Sequence, residues 1–218
     1  MYKLVATDMD ETFLDHGHQI PEANIRAMQR MKELGVLFVP SSGRWYSSIM
    51  DNFAHLDPAL LEGSYVISYN GGFINRVGDP NPLTSCGIGR ACAEELYALG
   101  RELGKCMHVN VADGHVFVCD APEAERTYLE QISGVTHFLD SRDIVKLIFM
   151  DPDFEGLQQL GRELEPMAQR LGVEITFSSK RYLEFMPAGI DKGYGLKKLA
   201  EMLGIPMDQV IGVGDSAN

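Results

Sequence analysis

An acidic cluster follows the first apolar run of the chain. The run Lys3-Leu4-Val5-Ala6-Thr7 ends at Asp8-Met9-Asp10-Glu11-Thr12, so the carboxylates of Asp8 and Asp10 and the hydroxyl of Thr12 come at the end of a predicted buried strand. A carboxylate is costly to bury unless it is paired or bound to a metal, so this spacing indicates a hard-cation site and phosphoryl transfer to a carboxylate. The alternative interpretation is a solvated acidic turn after a strand.

Two polar segments follow the next predicted strands. Ser41-Ser42-Gly43-Arg44 comes after residues 36–40, and its hydroxyls, glycine and guanidinium can bind a phosphate through side-chain and backbone donors. Asn70-Gly71-Gly72 comes after residues 65–69. Taken alone, the first segment can also be a serine-capped turn into a helix near Trp45, and the second a tight turn.

Lys192 and Asp215 complete the set of candidate residues. Lys192 lies just inside a predicted helix, where a cation opposes the helix dipole. Both a phosphate-neutralising role and a chance surface position remain open for it. Asp215 is a third acid at a third predicted strand end. The glycines before it are similar to the start of a dinucleotide fingerprint, but no third glycine follows in register.

The elements that must position these residues alternate between helices and strands. Four of the predicted helices end at Leu-Gly pairs, whose glycine can adopt the left-handed cap conformation. The predicted helices cover residues 22–34, 88–103, 122–132, 154–171 and 191–203. The predicted strands cover residues 3–7, 36–41, 65–69, 106–111, 115–119, 144–150, 173–178, 182–186 and 210–214. This alternation predicts an α/β protein.

Two clusters of proline and glycine indicate where the chain passes between domains. Gly78-Asp79-Pro80-Asn81-Pro82 is the first predicted linker and Met186-Pro187-Ala188-Gly189 the second. Strands outside them are nearly continuous apolar runs, typical of a parallel sheet that is covered on both faces and binds ligands at its carboxyl edge. We predict a discontinuous core of residues 1–82 and 186–218, with an inserted module at 83–185.

Composition and charge narrow the possible functions. A chain of 218 residues with 45% hydrophobic content can bury a real core. Its formal charge of -12 disfavours nucleic acid and anionic membrane as partners. It has no apolar stretch near the ~20 residues of a membrane helix and no signal sequence, so we expect a cytoplasmic protein. The four cysteines lack Cys-x-x-Cys spacing, which favours reduced thiols.

Together, these motifs resemble those of the haloacid dehalogenase superfamily of phosphohydrolases, specifically its Cof-like branch with a large inserted cap. Asp8-x-Asp10-x-Thr12 is similar to the first motif, Ser42 in Ser-Gly-Arg to the second, Lys192 to the third, and Gly214-Asp215-Ser216-Ala217-Asn218 to most of the fourth. The resemblance implies a Rossmann-like parallel-sheet core, discontinuous in sequence, with an inserted α+β cap domain that chooses the substrate.

The resemblance also implies a magnesium-dependent phosphatase that hydrolyses small phosphorylated metabolites such as sugar phosphates. Asp8 would attack phosphorus and form an aspartyl-phosphate, while Asp10 would act as general acid and base. Mg²⁺ would be held by the side chains of Asp8 and Asp215 and the backbone carbonyl of Asp10.

The resemblance implies roles for the remaining candidate residues. Ser42, Lys192 and Asn218 would bind phosphate, and Thr12 and Gly43 would support the site. Arg44, Asn70 and Gly71 would contact the substrate or the cap.

Two features depart from the family pattern. Glu11 stands where glycine is frequent, and its carboxylate adds negative charge beside Asp10 if the side chain points inward. The chain stops at Asn218, where the pattern continues with another aspartate. We therefore expect a fragment of a longer phosphatase.

Two other functions are consistent with strand-end acids and a lysine. One is a receiver-like phosphoacceptor domain for signalling, although the large inserted module counts against it. The other is a catalytically crippled phosphate-binding protein, if Asn218 is the true end.

Overall fold

The computed structural model describes residues 1–121 and 144–215, so the helix predicted at 122–132 and the candidate residue Asn218 lie outside the described residues. The chain forms two compact units. The first unit is discontinuous and consists of Met1–Ser85 and Ile190–Asn218, and the second is the intervening Cys86–Gly189.

The described residues form eleven β-strands and five α-helices. The strands are β1 (Leu4–Asp8), β2 (Leu37–Ser41), β3 (Tyr65–Ser68), β4 (Phe73–Arg76), β5 (Pro82–Ser85), β6 (Cys106–Val111), β7 (Val116–Cys119), β8 (Ile144–Met150), β9 (Val173–Ser178), β10 (Tyr182–Pro187) and β11 (Val210–Val213). The helices are α1 (Glu22–Glu33), α2 (Tyr46–Met50), α3 (Gly89–Glu102), α4 (Phe154–Leu171) and α5 (Lys192–Leu203). No helix in the described parts of the chain is long and apolar enough to cross a membrane.

The first unit is built on a six-stranded sheet in the order β11-β1-β2-β3-β4-β5. Strand β1 pairs in parallel with both β11 and β2, and β3 runs parallel to β2. The strand order reverses at β1, because the chain proceeds from β1 to β2 on one side and returns to β11 on the other. Ligands of open α/β sheets bind at the carboxyl ends of strands beside such a reversal. The predicted Rossmann-like α/β core is confirmed.

Apolar clusters cover both faces of this sheet. Phe38 and Val66 pack with Met28 of α1 on one face. Leu4 and Ile67, together with other alternate strand residues, pack with α5 on the other face. Because side chains alternate along a strand, burial on both faces requires the nearly continuous apolar runs seen in the sequence.

Strands β4 and β5 were not predicted, and they change the interpretation of the first linker. The cluster at residues 78–82 connects β4 to β5 in an antiparallel pair, and the Asn75 side-chain amide donates to the carbonyl of Pro80 at 2.8 Å. Strand β5 continues to Ser85, and β10 includes Pro187. The junctions between the units therefore fall a few residues later than 82 and 186. Glycine and proline indicate a turn, but not whether it joins two strands or two domains.

The second unit is an inserted α+β module. Its five strands form an antiparallel sheet in the order β7-β6-β8-β10-β9. Leu96 of α3 and Leu157 of α4 share one hydrophobic cluster with Phe149 and Phe185 of the sheet. Both helices thus bury their apolar sides against this sheet.

The four cysteines are free thiols. Burial, and to a smaller extent the negative charge of Glu95, raises the pKa of Cys92 to about 11. Burial also raises the pKa of Cys86 and of Cys119. These three thiols are protonated at neutral pH and are poor nucleophiles, so they do not point to cysteine chemistry.

Gly71 lets the turn after β3 pack directly on the start of α5. Its φ is +97°, and a Cβ at this position would overlap the carbonyl oxygen of Asp191, the residue before α5. Gly195 of α5 completes the close approach, because a Cβ there would lie 2.7 Å from the Cα of Gly71. These contacts fix the beginning of α5 against the carboxyl end of the sheet.

We expect Gly71→Ala to lower the free energy of unfolding by about 3 kcal/mol, because it adds a backbone clash to an unfavourable positive φ. Gly78→Ala is the matched control, since Gly78 has a φ of +90° but nothing within 4 Å of its Cβ position. This control should cost only about 1 kcal/mol. Urea denaturation measures both values, and equal losses would contradict the packing role of Gly71.

Candidate functional site

A cleft of about 340 Å³ lies at the carboxyl edge of the parallel strands in the first unit. Residues of β1, β2, β11 and the first turn of α5 line it, including Asp8, Ser41, Asp191, Lys192, Gly212 and Val213. The cleft therefore lies beside the strand reversal at β1.

Asp8 and Lys192 form a part-buried ion pair in this cleft. Asp8 ends β1, its Oδ1 accepts the Met9 N–H at 2.7 Å, and its Oδ2 accepts from Lys192 Nζ at 2.7 Å. The Lys192 and Asp8 side chains are only 15% and 12% exposed. Asp191 caps α5 by accepting the Tyr194 N–H at 2.6 Å. The Asp8 carboxylate offsets the unfavourable dipole at Lys192, so this lysine is not a chance surface residue.

Asp10 lies between the side chains of Arg44 and His18. Its Oδ2 is 3.3 Å from Arg44 Nε, and its Oδ1 is 3.6 Å from His18 Nδ1. Glu11, the residue after Asp10, has a φ of 58°, in the left-handed region. His18 was not predicted from the sequence.

The segment after β2 is held by backbone contacts. Ser42 is buried, and its Oγ accepts the Arg44 N–H at 3.2 Å. The Ser42 carbonyl accepts the Asn70 N–H at 3.0 Å, and a Cβ on Gly43 would lie 2.9 Å from Asn70 Oδ1. Helix α2 begins after Trp45, which makes no side-chain cap hydrogen bond, so no serine caps the helix itself, whereas Ser42 stabilises the turn before it.

Ser41 belongs to the polar segment selected from the sequence, but the family resemblance assigned phosphate binding to Ser42 and no separate role to Ser41. It lines the cleft, and its buried Oγ has no hydrogen-bond partner among the described residues. In the pairing of β1 with β2, Ser41 lies opposite Asp8. The register of β2 against β1 places Ser41 beside Asp8, whereas the family motif pointed only to Ser42.

Thr12 and Asp215 bring the first and the last motif together. Thr12 Oγ1 donates to Asp215 Oδ1 at 3.4 Å, although 203 residues separate them. Their proximity follows from the parallel pairing of β1 with β11, in which Thr7 lies opposite Val213.

The donor set at this edge fits a hard divalent cation. The described residues include no group of three or more His, Cys, Asp or Glu side chains suited to a metal. The predicted set contributes only two side chains, the carboxylates of Asp8 and Asp215, and adds the backbone carbonyl of Asp10. All three are oxygen donors, the type that Mg²⁺ prefers while keeping several waters.

Comparison with known proteins identifies the family. The family model for haloacid dehalogenase-like hydrolases matches residues 5–218. The chain belongs to this family, and the resemblance inferred from the motifs is confirmed.

Individual relatives agree with this membership. YxeH of Bacillus subtilis is 27% identical, with 100% of this chain and 82% of that protein aligned. An HMP-PP phosphatase of Yersinia pestis is 28% identical, with 100% of this chain and 79% of that protein aligned.

Solved structures share the fold. TM0651 from Thermotoga maritima has a TM-score of 0.81 at 21% identity, covering 100% of this chain and 81% of that one. The subclass IIB sugar phosphatase BT4131 has a TM-score of 0.77 at 17% identity, covering 98% of this chain and 81% of that one.

We expect Lys192→Met to lower the free energy of unfolding by about 3 kcal/mol, because it leaves the Asp8 carboxylate uncompensated in a poorly hydrated position. The double variant Lys192→Met with Asp8→Asn should recover most of this loss. Urea denaturation of the wild type, the two single variants and the double variant measures the coupling.

Lys198→Met is the matched control on the same helix. Lys198 pairs with Glu201 at 3.1 Å, but these side chains are 40% and 72% exposed. We expect a change below about 0.5 kcal/mol for this variant. A Lys192→Met loss no larger than that of Lys198→Met would contradict the structural importance of the part-buried pair of Asp8 and Lys192.

Proposed function

We propose that this protein is a magnesium-dependent phosphatase that hydrolyses small phosphorylated metabolites through an aspartyl-phosphate on Asp8. The enzyme class is that of a phosphoric monoester hydrolase. The observation that carries the proposal is the Asp8 carboxylate at the end of β1, held by Lys192 in a cleft beside the strand reversal. Family membership supports the same class.

The first half of the reaction transfers the phosphoryl group to Asp8. The Met9 N–H and Lys192 Nζ hold the two Asp8 oxygens and so fix the carboxylate for in-line attack on phosphorus. As the bond from phosphorus to the leaving oxygen breaks, the protonated Asp10 gives its proton to that oxygen. An alcohol leaves, and Asp10 becomes a carboxylate.

The second half regenerates the enzyme. The Asp10 carboxylate takes a proton from water, whose oxygen attacks phosphorus and breaks the bond to Asp8. Inorganic phosphate leaves, and both residues return to their initial states. Lys192 neutralises charge on the phosphoryl oxygens, and the buried hydroxyls of Ser41 and Ser42 bind these oxygens. Mg²⁺, bound by Asp8, Asp215 and the Asp10 carbonyl, would supply further charge neutralisation at the phosphoryl group.

The substrate class follows from charge and from the named relatives. A protein with a formal charge of -12 attracts an anionic substrate only through local cations, and Lys192 and Arg44 provide them here. The HMP-PP phosphatase and the sugar phosphatase act, by their names, on small phosphorylated molecules. We further propose that the inserted unit is the cap domain that determines specificity. The receiver-like alternative is set aside because the chain belongs to a hydrolase family.

With Mg²⁺ present, we expect release of inorganic phosphate from phosphate monoesters, and Asp8→Asn should reduce it at least about 10³-fold by removing the nucleophile. A malachite-green phosphate assay over a panel of sugar phosphates measures this. Asp51→Asn, which alters an exposed carboxylate outside the cleft, is the control and should retain activity. Phosphate binding without any turnover in the wild type would instead indicate a phosphate-binding protein.

We expect Thr12→Val to weaken Mg²⁺ binding about tenfold, because the Thr12 hydroxyl orients the carboxylate of Asp215. Calorimetric titration with Mg²⁺ measures the affinity without depending on turnover. Thr84→Val in β5, at the far edge of the same sheet, is the control. Equal affinities for the wild type and Thr12→Val would show that Thr12 does not support the metal site.

A further inference from the structure

The Asp10 carboxylate needs an external constraint on its orientation. Its side chain is 44% exposed, so packing alone does not select one rotamer. A general acid must lie within hydrogen-bonding reach of the leaving oxygen, and misplacement by about 1 Å can cost about 10²-fold in rate. The side chains that contact the Asp10 carboxylate therefore bear directly on its chemistry.

Arg44 contacts one oxygen of Asp10 from a fixed backbone. Its N–H donates to Ser42 Oγ at 3.2 Å, and its carbonyl accepts the Tyr69 N–H at 3.0 Å. Its Nη1 donates to the Ser48 carbonyl at 3.4 Å, and its Nε lies 3.3 Å from Asp10 Oδ2. The guanidinium is thus anchored on one side and directed at the carboxylate on the other.

The guanidinium has spare donors beside Asp10. Its Nε and Nη2 atoms are buried and make no hydrogen bond to any described residue. The Nε contact with Asp10 is therefore an ion pair without hydrogen-bond geometry. Contacts of catalytic groups are often long in the absence of substrate and shorten when it binds. An unpaired buried donor is costly, which favours such a shortening here.

His18 contacts the other oxygen of Asp10 from a tightly bonded turn. Asp15 Oδ1 accepts the N–H groups of Gly17 and Gln19 at 2.8 and 3.0 Å, and the Asp15 carbonyl accepts the His18 N–H at 2.9 Å. These bonds hold His18 at a φ of 55°. Its Nδ1 then lies 3.6 Å from Asp10 Oδ1, although the imidazole is 75% exposed.

We propose that Arg44 and His18 are positioning residues for Asp10, each holding one oxygen of its carboxylate. The proposal rests on the proposed function, in which Asp10 protonates the leaving oxygen. Because the two contacts come from different segments, they restrict rotation about both side-chain bonds of Asp10. Substrates with poor leaving groups depend most on this proton, so they lose most when the positioning fails.

The test compares two substrates of nearly equal shape, p-nitrophenyl phosphate and phenyl phosphate, whose leaving groups differ in their need for a proton. The measured quantity is the ratio of their kcat/KM values, which reports only steps up to release of the phenol. We expect Arg44→Gln to raise the ratio in favour of p-nitrophenyl phosphate about tenfold and His18→Asn about threefold. Arg44→Lys keeps a cation and should restore most of the wild-type ratio.

His16→Asn is the matched control, because His16 is an exposed histidine in the same segment and should leave the ratio unchanged. Asn tolerates the left-handed conformation, so His18→Asn retains the turn and tests the proposal even if Arg44→Gln does not fold. Asp10→Asn removes the proposed general acid, so it should give the largest kcat/KM ratio of all these variants.

The possible outcomes distinguish a failure of the proposed mechanism from a failure of the positioning role alone. If Asp10→Asn leaves the ratio unchanged, Asp10 is not the general acid, and both the proposed mechanism and this inference fail. If Asp10→Asn raises the ratio but Arg44→Gln and His18→Asn do not, the positioning role is overturned while the mechanism stands. If Arg44→Gln raises KM equally for both substrates with an unchanged ratio, Arg44 binds substrate and does not position Asp10.

Discussion

The ion pair between Asp8 and Lys192 is the constraint on which the site depends. It joins the end of β1 to the start of α5 across 184 residues of sequence, with both side chains mostly shielded from water. Two such charges pay a large desolvation cost, which only a close, well-oriented contact recovers. Strand pairing and the glycine contact between Gly71 and Asp191 bring the two elements together, and the ion pair then fixes where the carboxylate points.

Much of the fold could be predicted because its elements carry strong local signals. Amphipathic segments that end in Leu-Gly gave α1, α3, α4 and α5, and continuous apolar runs gave the strands of the parallel core. Strands β4 and β5 have four residues each, and the glycines and prolines around them suggested turns. Pro82 fits β5 because this strand lies at the edge of the sheet, a position that depends on tertiary structure.

The candidate site was predictable to the extent that its residues stand at strand ends. The acids after β1 and β11 and the lysine of α5 meet because parallel strands place their carboxyl ends at one edge. To predict that Ser41 lies opposite Asp8, the register of β2 against β1 is needed, and the local sequence does not contain it. His18 required a left-handed backbone in a turn, and its contact with Asp10 joins residues whose proximity only the folded chain establishes.

The carboxyl edge of the parallel strands carries more carboxylates than permanently charged cations. The end of β1 and the segments after β1 and β11 carry the carboxylates of Asp8, Asp10, Glu11 and Asp215. Among the described residues, the permanently charged cations in contact with them are Lys192 and Arg44. Carboxylates gathered at one edge of a sheet repel one another, which opposes folding. The left-handed Glu11 adds about 1–2 kcal/mol of backbone strain at the same loop. A protein keeps such a combination where the excess negative charge serves binding, and a bound divalent cation would offset it.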